Sequence, residues 1–484
     1  MEEVDMSDKK KLMLFSHVSN IRNITGAEKL LLFLARTFSS YFDCTIVAPH
    51  EGRLTQLATD AGIRTIIREF PLLYGMFTPY EGLPRDVEAY ALSPECKEAI
   101  ALLEAERPDY VFVNTCVNVI PAVAAKSLAI PVIWHITEVI FADAYLQHAI
   151  HTIDRYSDLI ICISTSAMSP FRSYLAESKL ALFYPSWNHE EFRPAEWQSF
   201  RQQKRKKWGV PEHAKLIGYI SSFLTPEKGA DHFIKAATII GAGHPEARFV
   251  IIGGEINKGF ARKLRRLVTY SAMKQRFIFV DHELNIEAAY CAMDIVVIPG
   301  LVREGFGLTA LEALIFGKPV VAYASGGLEE ILMAVGSGRY LVPTGNMGEL
   351  AAKVRELLDN PGVAEQVGRD NHHGAMARFG AGAYGERVQQ IVRQIQGLTG
   401  KLVHLPMPPA PFATPPRDIP AAMAQDEASA SQSPVKSSRH RRRHRSGRRK
   451  RVKGRGLLLL RRKTVKRSSL RGKRRRSSRR RKGR

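Results

Sequence analysis

Two successive sets of short apolar runs, each alternating with helical patterns, constrain this chain more than any other feature. The first set places strands at 12–16, 45–48, 110–114, 132–134 and 159–163, with an apolar helix over 27–38. The second places them at 216–220, 248–252, 277–280, 295–298, 320–323 and 339–342. Wholly apolar runs of this length suit strands buried on both faces, and strands alternating with helices build parallel sheets through right-handed crossovers. The expectation is an α/β chain of two doubly wound, Rossmann-like domains. Ligands of open α/β sheets lie outside the carboxyl ends of the strands, so two such domains face one another across the cleft that holds the chemistry.

The 484 residues suffice for two or three domains with their own cores. Charge is unevenly spread. Of 71 Lys and Arg, 27 follow Glu427, the last acidic residue, leaving 44 against 47 acids. The formal charge of +24 therefore belongs to the tail, and the body is close to neutral, which excludes inferring a nucleic-acid-binding core from the whole-chain charge. Cys44, Cys96, Cys116, Cys162 and Cys291 form no C-x-x-C pair, and all but Cys96 fall in or beside apolar runs. They read as reduced core thiols of a cytoplasmic protein. The charged start of the chain lacks a signal-like apolar core, and no run approaches a membrane span, so a soluble or peripheral protein on the cytosolic side is expected.

The stretch 299–322, PGLVREGFGLTALEALIFGKPVVA, carries the chemistry. A strand at 295–298 leads into a loop with Gly300, Gly305 and Gly307, and then into a helix over 308–316. The glycines let backbone N–H groups approach a ligand, and the helix start leaves unpaired donors with partial positive charge, which suits a phosphate. Glu312 lies one turn into the helix and leans back toward that start, and Glu304 sits just before the loop. Two carboxylates beside a phosphate would repel it, so they read as acceptors for hydroxyl groups on either side: a ribose and a sugar. Spacing alone would make both acids helix decoration; their context changes that reading.

Strand, Pro, E-G-F-G, L-x-x-x-E-A and G-x-P-V-V-A together resemble the E-x7-E donor site of retaining glycosyltransferases of family 4, which have the GT-B fold. The likeness runs over roughly residues 10–398. It implies a retaining, metal-independent glycosyltransferase that moves a sugar from a nucleoside diphosphate sugar to a hydroxyl acceptor in surface glycan, glycoconjugate or polysaccharide synthesis. It also implies that Glu312 holds the ribose and Glu304 the transferred sugar. Gly305, Phe306, Gly307, Leu308 and Thr309 would contact sugar and diphosphate through their N–H groups. In PVIWHITE, His135 would face the cleft and polarise a donor hydroxyl. In FLTPEKG, Lys228 would neutralise the leaving diphosphate, although the arginine the family carries is Phe223 here, with Arg303 as another candidate cation. In TGAEK, Gly26 either lets the backbone approach the acceptor or the diphosphate, or merely follows a Thr25 helix cap. Tyr184-Pro185-Ser186 departs from the family pattern, whereas Ser325-Gly326-Gly327-Leu328-Glu329-Glu330 fits it as a tight turn. No cofactor is expected and no metal site is apparent, since there is no D-x-D and His372 and His373 are adjacent.

The resulting organisation is an acceptor-side domain over 1–195, a donor-side domain over 196–383, a helix over 384–400 crossing back to the first domain, a Pro-rich linker over 401–435 and a disordered Arg/Lys-rich tail over 436–484. The connection at 190–211 is basic and reads as solvated helix surface. The tail has no acid and no aromatic residue, so it seeks an anionic polymer, a membrane surface or nucleic acid without a base-stacking signal. A runner-up reading follows from Phe223 and the tail: a binding protein of weak catalytic power, tethered to such a polyanion. Removing residues 401–484 is expected to leave donor binding intact and to abolish salt-sensitive retention on a polyanion column; equal retention of the truncated protein would refute the tether.

Overall fold

The computed structural model describes residues 9–21, 24–188 and 192–406. The basic tail and most of the Pro-rich linker lie outside the described residues. Seven parallel strands form the first sheet: β1 (Lys11–Phe15), β2 (Asp43–Ala48), β3 (Arg64–Ile67), β4 (Tyr110–Asn114), β5 (Val132–Ile136), β6 (Leu159–Cys162) and β7 (Leu180–Leu182), in the order β3-β2-β1-β4-β5-β6-β7. The second has six, also parallel: β8 (Leu216–Phe223), β9 (Arg248–Gly254), β10 (Phe277–Val280), β11 (Ile295–Ile298), β12 (Val320–Tyr323) and β13 (Leu341–Val342), in the order β10-β9-β8-β11-β12-β13.

Both sheets are doubly wound, with the chain reversing direction across the sheet between β1 and β4 and between β8 and β11. At such a switch point the helices after adjacent strands lie on opposite faces and leave a crevice. Two strands, β3 and β7, escape the sequence pattern because they are short edges with partly exposed residues. The central strands β4, β5, β6 and β11 are buried along their whole length, which is why their apolar runs are continuous.

The helix Ala381–Gln396 returns to the first domain, where Tyr384, Val388, Ile391 and Ile395 pack in one core with Leu31, Leu34 and Phe38 of the helix Gly26–Phe38. The Val403 N–H donates to Lys126 O at 2.9 Å, so the packed chain continues past residue 400, and a truncation at 401 would cut into it.

The basic connection forms the helix Trp197–Trp208, and here the solvated-surface reading needs correction. Lys204 and Arg205 are buried. Lys204 pairs with Glu283 at 2.8 Å, while Arg201 and Arg205 hold the two oxygens of Asp294 at 2.6 and 3.1 Å. Asp294 Oδ2 also accepts the Leu216 N–H at 2.7 Å, tying the helix to the first residue of β8. Burial alone would raise the Asp294 carboxyl; Arg201, the Leu216 N–H and Arg205 outweigh it and hold it below the usual carboxylate range. A depressed carboxylate stabilises the fold fully at neutral pH, and that contribution disappears as pH falls through its lowered value. Asp294→Asn leaves buried Arg205 without its counter-charge and is expected to lower the unfolding free energy by about 3 kcal/mol in urea titrations at pH 7.

Candidate functional site

The loop between β11 and the helix Leu308–Ile315 is held from three sides. From below, the turn after β12 supports it. Ser325 Oγ donates to Val302 O at 2.6 Å, the Gly327 N–H donates to Glu304 O at 2.8 Å, and Glu304 and Gly326 form a parallel bridge. Gly326 lies at φ 60°, and a Cβ there would come within 2.3 Å of Glu304 O, while one at Gly327 would meet the Phe306 backbone at 2.4 Å. The two glycines are thus required by backbone contact with the loop. From the side, Leu301 N–H donates to Glu227 O at 2.7 Å, joining the loop to the segment that carries Lys228.

From above, the first domain closes on it. A Cβ at Gly305 would lie 1.9 Å from Thr137 O, and Ser164 Oγ donates to Gly305 O. Glu330, on the helix Gly327–Ala334, accepts the Thr165 N–H on both oxygens at 3.0 Å and the Ser166 N–H at 3.3 Å. Those donors open the helix Thr165–Arg172, so a carboxylate of one domain caps a helix start of the other. The Tyr184 hydroxyl donates to Glu330 as well; burial first, and the Glu330 contact second, push the phenol up and keep it neutral.

Gly307, at φ 105°, precedes the helix, whose first N–H groups have no intrahelical acceptor. Among the described residues the N–H groups of Gly305, Phe306, Gly307, Leu308 and Thr309 donate no hydrogen bond within the protein; Phe306 is buried and the other four residues are partly exposed. The Phe306 side chain is buried against Tyr184 and Phe379, with ring centroids at 6.1 and 5.7 Å, and anchors the loop. Glu304 Oε1 accepts from Lys228 Nζ at 2.8 Å. Glu312 Oε1 accepts from Lys29 Nζ of the first domain at 3.1 Å, and its Oε2 accepts from the Tyr290 hydroxyl at 2.8 Å. Tyr290 is fully buried, and burial with the adjacent Glu312 charge raises its phenol well above the usual range, so it remains a donor. Gly26 begins the helix Gly26–Phe38, and a Cβ there would sit 3.3 Å from Leu308 Cδ1, so two helix starts meet. The Thr25 N–H and hydroxyl both donate to Glu28 at 2.7 Å, fixing that start.

His135 is elsewhere, which corrects its expected placement in the cleft. Alternation along β5 puts it on the face of Ile133, the face covered by the helices Gly26–Phe38 and Ala381–Gln396. It is 1% exposed, its Nδ1 lies 2.9 Å from Asn114 Oδ1, and it lines a small apolar cavity with Leu30, Phe33, Leu34, Ile163, Phe183 and Tyr384. Burial lowers its imidazole to about 3, so it is neutral at physiological pH. The strand's contact with the loop is made two residues later, by Thr137. Phe223 ends β8 half-buried over Gly254, and Arg303 is exposed. His372 Nδ1 lies 2.6 Å from Ile315 O. Among the described residues no group of three His, Cys, Asp or Glu is placed to hold a metal ion, and no helix is long and apolar enough to cross a membrane. Lys29, Tyr290, Thr137 and Ser164 were not among the residues expected here; of the four, Lys29 lies in TGAEK and Thr137 in PVIWHITE, and the other two lie outside both motifs.

Residues 200–373 match the family described as Glycosyl transferases group 1. The chain is 30% identical over 222 residues to the D-inositol 3-phosphate glycosyltransferase of Streptomyces avermitilis, covering 44% of this chain and 46% of that protein. It is 29% identical over 244 residues to a GDP-mannose-dependent monoacylated alpha-(1-6)-phosphatidylinositol monomannoside mannosyltransferase of Corynebacterium glutamicum, covering 49% and 62%. The chain thus spans about half the length of the curated relatives it matches. Among solved structures, Anabaena Alr3699/HepE in complex with UDP and glucose superposes with a TM-score of 0.66 at 20% identity, over 80% of this chain and all of that one. WaaG, a glycosyltransferase involved in lipopolysaccharide biosynthesis, superposes at 0.57 with 14% identity, over 80% and 100%. These likenesses show the fold: two Rossmann-like domains in the GT-B arrangement.

Gly305→Ala is expected to drive a methyl group into the Thr137 carbonyl, at a cost of about 2 kcal/mol to the closed contact. In a protein ending at residue 406, small-angle scattering should then report a larger radius of gyration. An unchanged radius would show that the lobes are not held at this point.

Proposed function

We propose that this protein is a retaining glycosyltransferase that takes a nucleoside diphosphate sugar as donor and a hydroxyl group as acceptor, in the synthesis of a surface glycan or glycoconjugate. The observation that carries the reading is the loop of five N–H groups that donate no hydrogen bond within the protein, flanked by Glu304 and Glu312. A diphosphate fits the donors, and the acids on either side accept hydroxyls of the transferred sugar and of the ribose. As the glycosidic bond breaks, negative charge grows on the departing diphosphate, where Lys228 and the helix start stabilise it. Lys228 is held by Glu304 in the protein as described, so the residue that meets the sugar also positions the cation. The names of the group 1 relatives support the reaction class, and the UDP and glucose bound to the Anabaena protein support the ligand class.

A second reading, a nucleotide-sugar-binding protein of weak catalytic power, is favoured by one observation: Phe223, packed over Gly254, supplies no charge where the family has an arginine. Turnover across a panel of nucleotide sugars separates the two. The enzyme reading expects product with the donor's anomeric configuration by NMR, and activity that persists in EDTA because Lys228 and backbone donors meet the charge. It further expects kcat to fall by roughly a hundredfold or more in both Glu304→Ala and Lys228→Ala. Nucleotide binding without turnover of any donor would support the binder instead.

A further inference from the structure

The two acids of the donor segment hold one cation each, and the cations come from opposite lobes. Glu304 holds Lys228 of the second domain at 2.8 Å; Glu312 holds Lys29 of the first at 3.1 Å. We propose that Lys29 is a second diphosphate-binding cation, delivered across the cleft by the helix Gly26–Phe38, where it supplies the charge that Phe223 does not. The inference rests on the nucleoside diphosphate sugar reading above.

Three observations carry it. First, Lys29 stands in the first turn of its helix, with its N–H donating to Thr25 O at 2.9 Å. A cation there opposes the helix dipole and needs an anion in front of it. Glu28 in the same turn is fully buried and taken up by Asn20 and Thr25, so Glu312 is the acid that Lys29 meets. Second, Gly26 at the start of the Lys29 helix approaches Leu308 at the start of the helix that carries Glu312, so the ammonium that reaches Glu312 comes from a helix start adjoining the loop. The Lys29 side chain is 42% exposed and keeps room to move toward a ligand. Third, the ion pair does not close the site. A carboxylate accepts about four hydrogen bonds and an ammonium donates three. Tyr290 and Lys29 occupy two positions on Glu312, leaving acceptors for two ribose hydroxyls, and Lys29 retains donors for phosphate oxygens. Lys29 is therefore a binding residue that bridges ribose acceptor and phosphate, not a plug.

The test compares a diphosphate with its nucleoside on the full chain. UDP, GDP, ADP, CDP and dTDP are titrated into wild-type protein by calorimetry, and the tightest ligand is carried forward together with its own nucleoside, followed by NMR titration. Lys29→Met is expected to weaken the nucleoside diphosphate by about tenfold or more, the scale of a charge-assisted hydrogen bond, while the nucleoside changes less than about twofold. Lys29→Arg is expected to restore most of the diphosphate affinity. Diphosphate binding unchanged or tighter in Lys29→Met would overturn the proposal, as expected of a residue that merely blocks Glu312. Equal losses for diphosphate and nucleoside would overturn it too, since Lys29 would then act only by orienting Glu312. Wild-type protein that binds none of UDP, GDP, ADP, CDP and dTDP would sink the donor reading itself, and this inference with it.

Discussion

The close approach of two backbones at Gly305 and Thr137 sets the spacing of everything around it. No side chain fits between them, so the loop after β11 and the end of β5 touch directly. Once that contact is made, Ser164 reaches Gly305 O, Glu330 reaches the start of the helix Thr165–Arg172, and Lys29 reaches Glu312. Each of these joins residues more than 140 positions apart. Exposed ion pairs contribute little to stability by themselves. What they do here is fix which polar groups face one another across the cleft, while the glycines set the distance.

The electrostatic pattern follows from that closeness. The cleft gathers two helix starts, five backbone donors and two lysines, all favouring an anion, and balances them with Glu304 and Glu312. A site with only donors would attract any phosphate. Under the proposed function, acids on both flanks would repel a bare anion and accept hydroxyls, which would favour a ligand with a charged middle and hydroxyl-bearing ends. The buried Arg205–Asp294 pair stands at the opposite end of β11 from this loop and ties the connecting helix to β8.

Much of the fold was legible because central parallel strands must be apolar on both faces, and the runs at β4, β5, β6 and β11 announce that without ambiguity. The edge strands β3 and β7 carry no such requirement and were not legible. The glycine pattern of the loop after β11 and of the turn after β12 could be read because Gly305, Gly326 and Gly327 answer to backbone contacts that no other residue tolerates. His135 was misplaced for a simple reason: alternation defines two faces of β5, and only packing against the helices Gly26–Phe38 and Ala381–Gln396 tells which face is covered. Lys204 and Arg205 were misread because a polar pattern does not reveal partners 79 and 89 residues further along the chain. The pairing of Lys29 with Glu312 spans 283 positions, and no local spacing encodes it.

The chain crosses between the lobes twice, and the two crossings touch. Ser186 Oγ donates to Phe379 O, and Tyr184 packs edge-on against the Phe379 ring at 5.8 Å. Two adjoining struts of this kind make one pivot for any rotation of the lobes, and Phe306 of the loop after β11 rests against it. Groups beside a pivot travel little when a jaw opens, whereas groups farther out sweep longer arcs. The loop after β11 is therefore placed where a rotation about that pivot would displace it least, and groups at the rim would travel farthest.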